Sequence, residues 1–181
     1  FENCSSLTEI KIPESVINIG DHCFSSCSLL ETITISCPLQ RIGDHCFHKC
    51  KSLKTITIPA STTYIGAHCF GSCSQLSMIK ILSPIQKIEN YCFNKCKSLT
   101  TFSIPSTVTE LCHHCFNKCG ALKFIIIPKS VTKIGNLCFN LCINLIQALV
   151  PRSVTSIEAD IFNGCSSLRT IIAPEASIDT F

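Results

Sequence analysis

The sequence predicts a repeat solenoid of 23-residue turns, with a parallel β-sheet on one face and short strands and helical or 3₁₀ turns on the other. Three observations predict it. Phe1 recurs as Phe24, Phe47, Phe70, Phe93, Phe116, Phe139 and Phe162, always at a spacing of 23. Three residues after each Phe stands a Cys: Cys4, Cys27, Cys50, Cys73, Cys96, Cys119, Cys142 and Cys165. Three further on stands a Leu, in a column that runs from Leu7 and Leu30 to Leu145 and Leu168. A period between roughly 20 and 50 residues marks stacked structural repeats. Each turn is too small to fold alone, so neighbouring turns must stabilise one another.

The turn that begins at Leu53 illustrates each element. Leu53-Lys54-Thr55-Ile56-Thr57-Ile58 is β-branched and alternates near its end, which predicts a strand. Pro59 has no N–H to give and stops the ladder; Pro13, Pro105, Pro128, Pro151 and Pro174 repeat it. A shorter extended piece follows, with Val16, Val108, Val131 and Val154 in one apolar column and Ile19, Ile42, Ile65, Ile88, Leu111, Ile134 and Ile157 in the next. Gly20, Gly43, Gly66 and Gly135 come after that column, where a bend with positive φ is expected. The His-Cys-Phe-x-x-Cys segment is too short for a full helix and predicts a helical or 3₁₀ turn. The inward set is then Leu53, Ile56, Ile58, Ile65, Cys69, Phe70 and Cys73, with Thr62 in the Val column.

Residues 1–181 read as a single array of about seven full repeats with partial ends. The chain opens within one repeat and closes within another, so the expectation is a fragment of a longer array. An apolar content of 46% suits a continuous buried spine. No run of 18 apolar residues is present to span a membrane. A net charge of +3, from 15 basic and 12 acidic residues, is too mild to make nucleic acid the partner. The segment carries no targeting signal.

Fourteen of the sixteen cysteines lie in two periodic columns, the second being Cys23, Cys46, Cys69, Cys92, Cys115 and Cys138. Sharing the period of the Phe and Leu columns, they are expected in the core as small apolar groups. Stacked turns about 4.8 Å apart hold parallel Cβ atoms too far apart for the roughly 3.5–4.5 Å of a disulfide, so free thiols are expected. Cys37 and Cys112 fall off the columns and are expected at the surface.

The pattern LxxIxIPxxVTxIGxxxFxxCxx, clearest at Pro128-Lys129-Ser130-Val131-Thr132-Lys133-Ile134-Gly135, resembles the BspA-like leucine-rich repeat, the 23-residue treponemal type. The likeness covers the whole chain. It implies a right-handed leucine-rich-repeat horseshoe or gently curved solenoid. It also implies a cell-surface or secreted protein of adhesion, binding host extracellular or cell-surface proteins, with no catalytic residues and no cofactor. The chain departs from the family pattern in three places. Cys replaces the usual Ala before Phe in six copies, and Ile161 in the seventh. The Pro column fails at Ser36 and Leu82, where Pro38 and Pro84 follow two residues later and a reshaped corner is expected. At the end, Ile178 stands one position off the Val column and Thr180 occupies the Ile column.

Several constellations have the residue types that chemistry needs. His22, His45, His68 and His114 each precede a Cys, and imidazole with thiolate is a zinc-type set. Adjacent His and Cys side chains diverge, however, which favours surface His beside core Cys over a Cys/His metal-binding repeat protein. A Cys–His catalytic dyad lacks an oriented pocket. Asn3-Cys4-Ser5 is a glycosylation sequon centred on a core-column residue. Lys49, Lys95 and Lys118, with Lys51 and Lys97, form a basic row interrupted by Ser26, Ser72 and Gly164, which suits a solvated face.

The outward strand positions carry the main functional expectation. Early turns present Thr8, Glu9, Lys11, then Glu31, Thr32, Thr34, then Lys54, Thr55, Thr57. Later turns present Lys123, Phe124, Ile126, then Ile146, Gln147, Leu149, then Arg169, Thr170, Ile172. Phe124, Ile126, Ile146, Leu149 and Ile172 are therefore expected to form an exposed apolar patch, a partner-binding face or one covered by a flanking segment. The reading is a non-enzymatic protein-binding module, with a metal-binding repeat or an intracellular scaffold as alternatives.

Overall fold

The computed structural model describes residues 1–173 as a stack of parallel-strand turns. Pro174, Ile178 and Thr180 lie outside the described residues. In chain order the strands are β1 (Glu9–Ile12), β2 (Asn18–Ile19), β3 (Thr32–Ile35), β4 (Arg41–Ile42), β5 (Thr55–Ile58), β6 (Tyr64–Ile65), β7 (Met78–Ile81) and β8 (Lys87–Ile88). They continue with β9 (Glu110–Leu111), β10 (Phe124–Ile126), β11 (Lys133–Ile134), β12 (Gln147–Leu149), β13 (Ser156–Ile157) and β14 (Thr170–Ile172). Every pairing is parallel and joins a residue to its copy one period on, as in Ile10 with Ile33 and Ile56 with Ile79. The sequence period is thus the register of the sheet. A slip by one residue would turn the buried set outward.

The longer strands pair as β1-β3, β5-β7 and β10-β12-β14, and the shorter ones as β2-β4-β6 and β8-β9-β11-β13. Between the two faces runs one core. Phe24, Phe47, Phe70, Phe93, Phe116 and Phe139 are buried, and successive rings stack at 5.3–5.5 Å from Phe1 to Phe162. The predicted inward set is buried throughout, including Thr62, whose hydroxyl donates to Leu39 O at 2.9 Å.

Three local expectations are corrected. No helix forms among the described residues. Left-handed residues at His22 (φ 57°) and Ser26 (φ 61°), repeated at His45 and Lys49, bracket the Cys-Phe segment and stop helical propagation. The segment keeps single turns, with Ser25 N on His22 O at 2.9 Å and Cys27 N on Phe24 O at 3.2 Å, and also donates turn to turn, Phe24 N to Cys46 O at 2.8 Å and Phe47 N to Cys69 O at 2.9 Å. Second, Gly20, Gly43, Gly66 and Gly135 do not take positive φ. Glycine is required at Gly43 by close approach: a Cβ would lie 2.6 Å from Gly20 C and 2.5 Å from Asp21 N in the turn before.

Third, Cys37 and Cys112 are buried. At ordinary corners the Val-column amide bonds back to Pro, as Val16 N to Pro13 O at 3.1 Å. Where Ser36 replaces Pro, the corner closes tighter, with Leu39 N on Cys37 O at 2.8 Å, and residue 37 turns inward. The matching Ser83 is buried too, and Leu82, unlike a proline, donates its N–H to Ile58 O at 3.1 Å. Cys112 occupies the glycine column, where successive backbones crowd and cover it. Burial first, then the Glu89 carboxylate, push its thiol up to about 12.

All sixteen cysteines are free thiols. The column after Phe has a second use beyond packing. Cys27, Cys50, Cys73, Cys96, Cys119, Cys142 and Cys165 each donate Sγ–H to the Phe carbonyl of the preceding turn, at 3.0–3.2 Å. Disulfide formation would forfeit that donor.

Candidate functional site

The outer face of β10, β12 and β14 collects the apolar residues. Alternation buries Ile125 and Ala148 and sends their neighbours outward. Parallel register then places Ile126, Leu149 and Ile172 side by side in one column, and Phe124, Gln147 and Thr170 in a second. Ile126 is 63% exposed, Phe124 49% and Ile172 37%, while Leu149 is half-buried between its neighbours. Four of the five expected patch residues thus share the two paired columns. Ile146 precedes β12 and stands apart, in the position that the turns on either side give to Lys123 and Arg169, both exposed.

A shallow groove of about 410 Å³ adjoins this face, lined by Thr101, Phe102, Ser103, Ile104, Phe124, Ile126 and Pro128. It lies where the longer strands stop pairing, because residues 101–104 form no strand beside β10. Phe102 holds the column filled by Ile in β1, β3, β5 and β7. Its ring wedges against Phe93 at 4.9 Å and Phe116 at 4.8 Å, tilted 58° and 67° to them. A larger inward residue thus holds the backbone off the ladder. Sequence reading missed the groove, although Phe in an Ile column was its signal.

The other expected sites resolve differently. In the His-Cys-Phe-x-x-Cys motifs His22 is exposed and His45, His68 and His114 are half-buried, whereas Cys46, Cys69 and Cys115 are buried in the core and Cys23 is partly buried against it. Cys46, Cys69, Cys92 and Cys115 have their thiols pushed far up, first by burial, so none offers a thiolate beside its neighbouring ring. Lys49, Lys95 and Lys118 are exposed and left-handed at φ 62°. Asn3 and Cys4 are both exposed at the first turn. His22, His45, His68, Tyr91 and His114 stack as one aromatic column at 4.4–4.7 Å, which sequence reading also missed.

Stacked 23-residue turns with a parallel sheet on one side define a leucine-rich-repeat solenoid. The model of the BspA type leucine rich repeat region matches in six copies, over residues 1–123 and 63–181, and the chain belongs to that family. It is similar to a leucine-rich repeat protein from Bacteroides ovatus ATCC 8483, with 28% identity and a TM-score of 0.65 over 96% of this chain and 57% of that one. It is also similar to a leucine rich cell surface protein from Faecalibacterium prausnitzii A2-165, with 25% identity and a TM-score of 0.50 over 97% of this chain and 62% of that one. The chain therefore spans less than two thirds of either protein. No curated protein matches it. No helix among the described residues is long and apolar enough to cross a membrane.

Proposed function

We propose that this array is a non-enzymatic protein-binding module of a cell-surface adhesion protein, and that its contact face is the outer side of β10, β12 and β14. The observation that carries the reading is the column Ile126–Leu149–Ile172 with Phe124 beside it and the groove at its edge. Contiguous exposed apolar surface of this kind is characteristic of interaction sites, and aromatic residues concentrate binding energy. Lys123 and Arg169 supply a basic margin near Ile146. The partner fitting this face is a protein segment with an apolar centre and an acidic flank, on a host extracellular or cell-surface protein. Family membership and the surface description of the Faecalibacterium protein support a place at the cell surface. Burial keeps the Cys46, Cys69 and Cys115 thiols protonated beside their histidines, leaving these Cys–His motifs without a nucleophile, which supports a non-catalytic role.

The test is binding to immobilised extracellular-matrix and cell-surface proteins by the chain and by F124D and L149D. Both positions lie on the outer face, so the circular dichroism spectrum should stay unchanged. Each variant should weaken binding at least tenfold, or about 1.4 kcal/mol. Unchanged binding by folded variants overturns the assignment of this face.

A further inference from the structure

We propose that His45, His48 and His68 form a binding site for a divalent transition-metal ion of the zinc type. One ring nitrogen from each of the three residues lies within 4.8 Å of the other two. His45 and His68 stack nearly parallel at 4.4 Å, while His48 stands across both at 77° and 80°. His48 Nδ1 is buried and has no hydrogen-bond partner. A buried ring nitrogen left unpaired is costly, and an ion coordinated there removes that cost.

The local sequence makes room for this arrangement. The column of residues after Phe carries Asn94, Asn117, Asn140 and Asn163, whose amides bond one to the next at 2.7–3.1 Å. In the earlier turns that ladder is replaced by His48 and Gly71. A Cβ at Gly71 would lie 2.8 Å from His48 Nδ1, so the glycine keeps the space beside that nitrogen open. His22 also stacks on His45, at 4.7 Å, but the matching residue in its turn is Ser25. Beside His114 the matching residue is Asn117, so a third imidazole joins the stack only at His48.

Electrostatics favour the metal-ready form. Burial, then the neighbouring imidazoles and Lys49, hold His48 down to about 4, and burial lowers His45 and His68. At neutral pH the rings offer lone pairs rather than protons. Imidazole suits zinc, cobalt and nickel, and three of them leave a fourth position for water. The flanking thiols of Cys46 and Cys69 are buried in the core, so the ligand set is nitrogen alone. Nitrogens about 2.0–2.1 Å from one ion lie about 3.3 Å apart in a tetrahedral site. Binding at that spacing requires the half-buried rings of His45 and His68 to turn about their side-chain torsions.

Cobalt(II) titration of the whole chain, with a non-chelating reductant, separates nitrogen from sulfur ligation. The expected result is one equivalent bound, with visible d–d bands and no near-ultraviolet thiolate-to-cobalt charge transfer. H48N installs the residue this column carries elsewhere, and should weaken binding at least tenfold; H114N should leave it unchanged. H68N gives the same reading should H48N fail to fold. Absence of binding, a thiolate-dominated spectrum, or equal affinity in wild type and H48N each overturns the proposal. The result is independent of the binding face on β10, β12 and β14.

Discussion

Cys73 is buried among apolar neighbours, and composition alone makes it a small hydrophobe; its Sγ–H donating to Phe47 O at 3.0 Å explains more. A methyl group would fill part of the same volume and leave the bond unmade. Glycine gives the sharpest residue-scale test. Gly43 and Gly20 occupy the same column, yet a Cβ at Gly43 would collide with the backbone of the preceding turn, and one at Gly20 would meet nothing within 4 Å. Gly43→Ala should therefore destabilise by about 2–3 kcal/mol. Gly20→Ala should stay within about 0.5 kcal/mol of wild type. Urea denaturation of the two variants checks this; equal effects would return the glycines to a conformational role.

At the scale of the element, neither strand face is continuous. Pairing of the longer strands lapses after β3 and after β7, the strands followed by Ser36 and Leu82 rather than Pro. The second lapse is widened by Phe102 into the groove beside Phe124 and Ile126. The shorter strands carry an ion-pair network across β8, β9 and β11 that extends to Glu158, just after β13. Glu110 accepts from Lys87 at 2.8 Å and Lys133 at 3.0 Å, and Lys133 reaches Glu158 at 3.9 Å. The hydrogen bond from Lys87 above all, with that from Lys133, holds the Glu110 carboxyl below its ordinary 4.5, although burial pushes the other way. The folded chain then binds that proton less readily than the unfolded one, so the contribution is full above pH 4.5 and fades as pH falls further. Solvent screening keeps it small. E110Q should lower Tm by about 1–2 °C at pH 7, with the difference gone near pH 3. Thermal melts across that range test it, and a difference that persists in acid would rule the network out as its source.

For the whole molecule, each turn contacts its neighbours in the same way, so stability is close to a sum of turn and interface contributions. Loss of one whole period should then be tolerated. Deleting residues 24–46 joins Cys23 to Phe47 and restores every column in register. The shortened chain should keep its strand signal per residue and unfold at a lower urea concentration. Deleting residues 24–43 instead joins Cys23 to Asp44, short of a full period. That chain should lose cooperative unfolding, because its columns no longer align. Equal behaviour of the two deletions would contradict a period-locked stack.

Much of this was legible in the chain itself. Phe24, Cys27, Leu30, Ile33 and their copies in the following turns determined the turn, the register and the buried set, because every turn must fit the next and identical environments select identical residues. The columns that vary, Thr55 giving way to Phe124 and Thr57 to Ile126, pointed to the outer face of the later turns. Tertiary structure alone decided what depends on contacts between turns. Gly43 is glycine because Gly20 and Asp21 lie against it, and Cys37 is buried because a corner without proline closes differently. Phe102 opens a groove because its ring must fit between Phe93 and Phe116. His45, His48 and His68 meet because two are a period apart and the third lies one column over, on the edge of the same stack. Periodicity specifies which residues repeat, whereas distances across columns arise only when the turns are stacked.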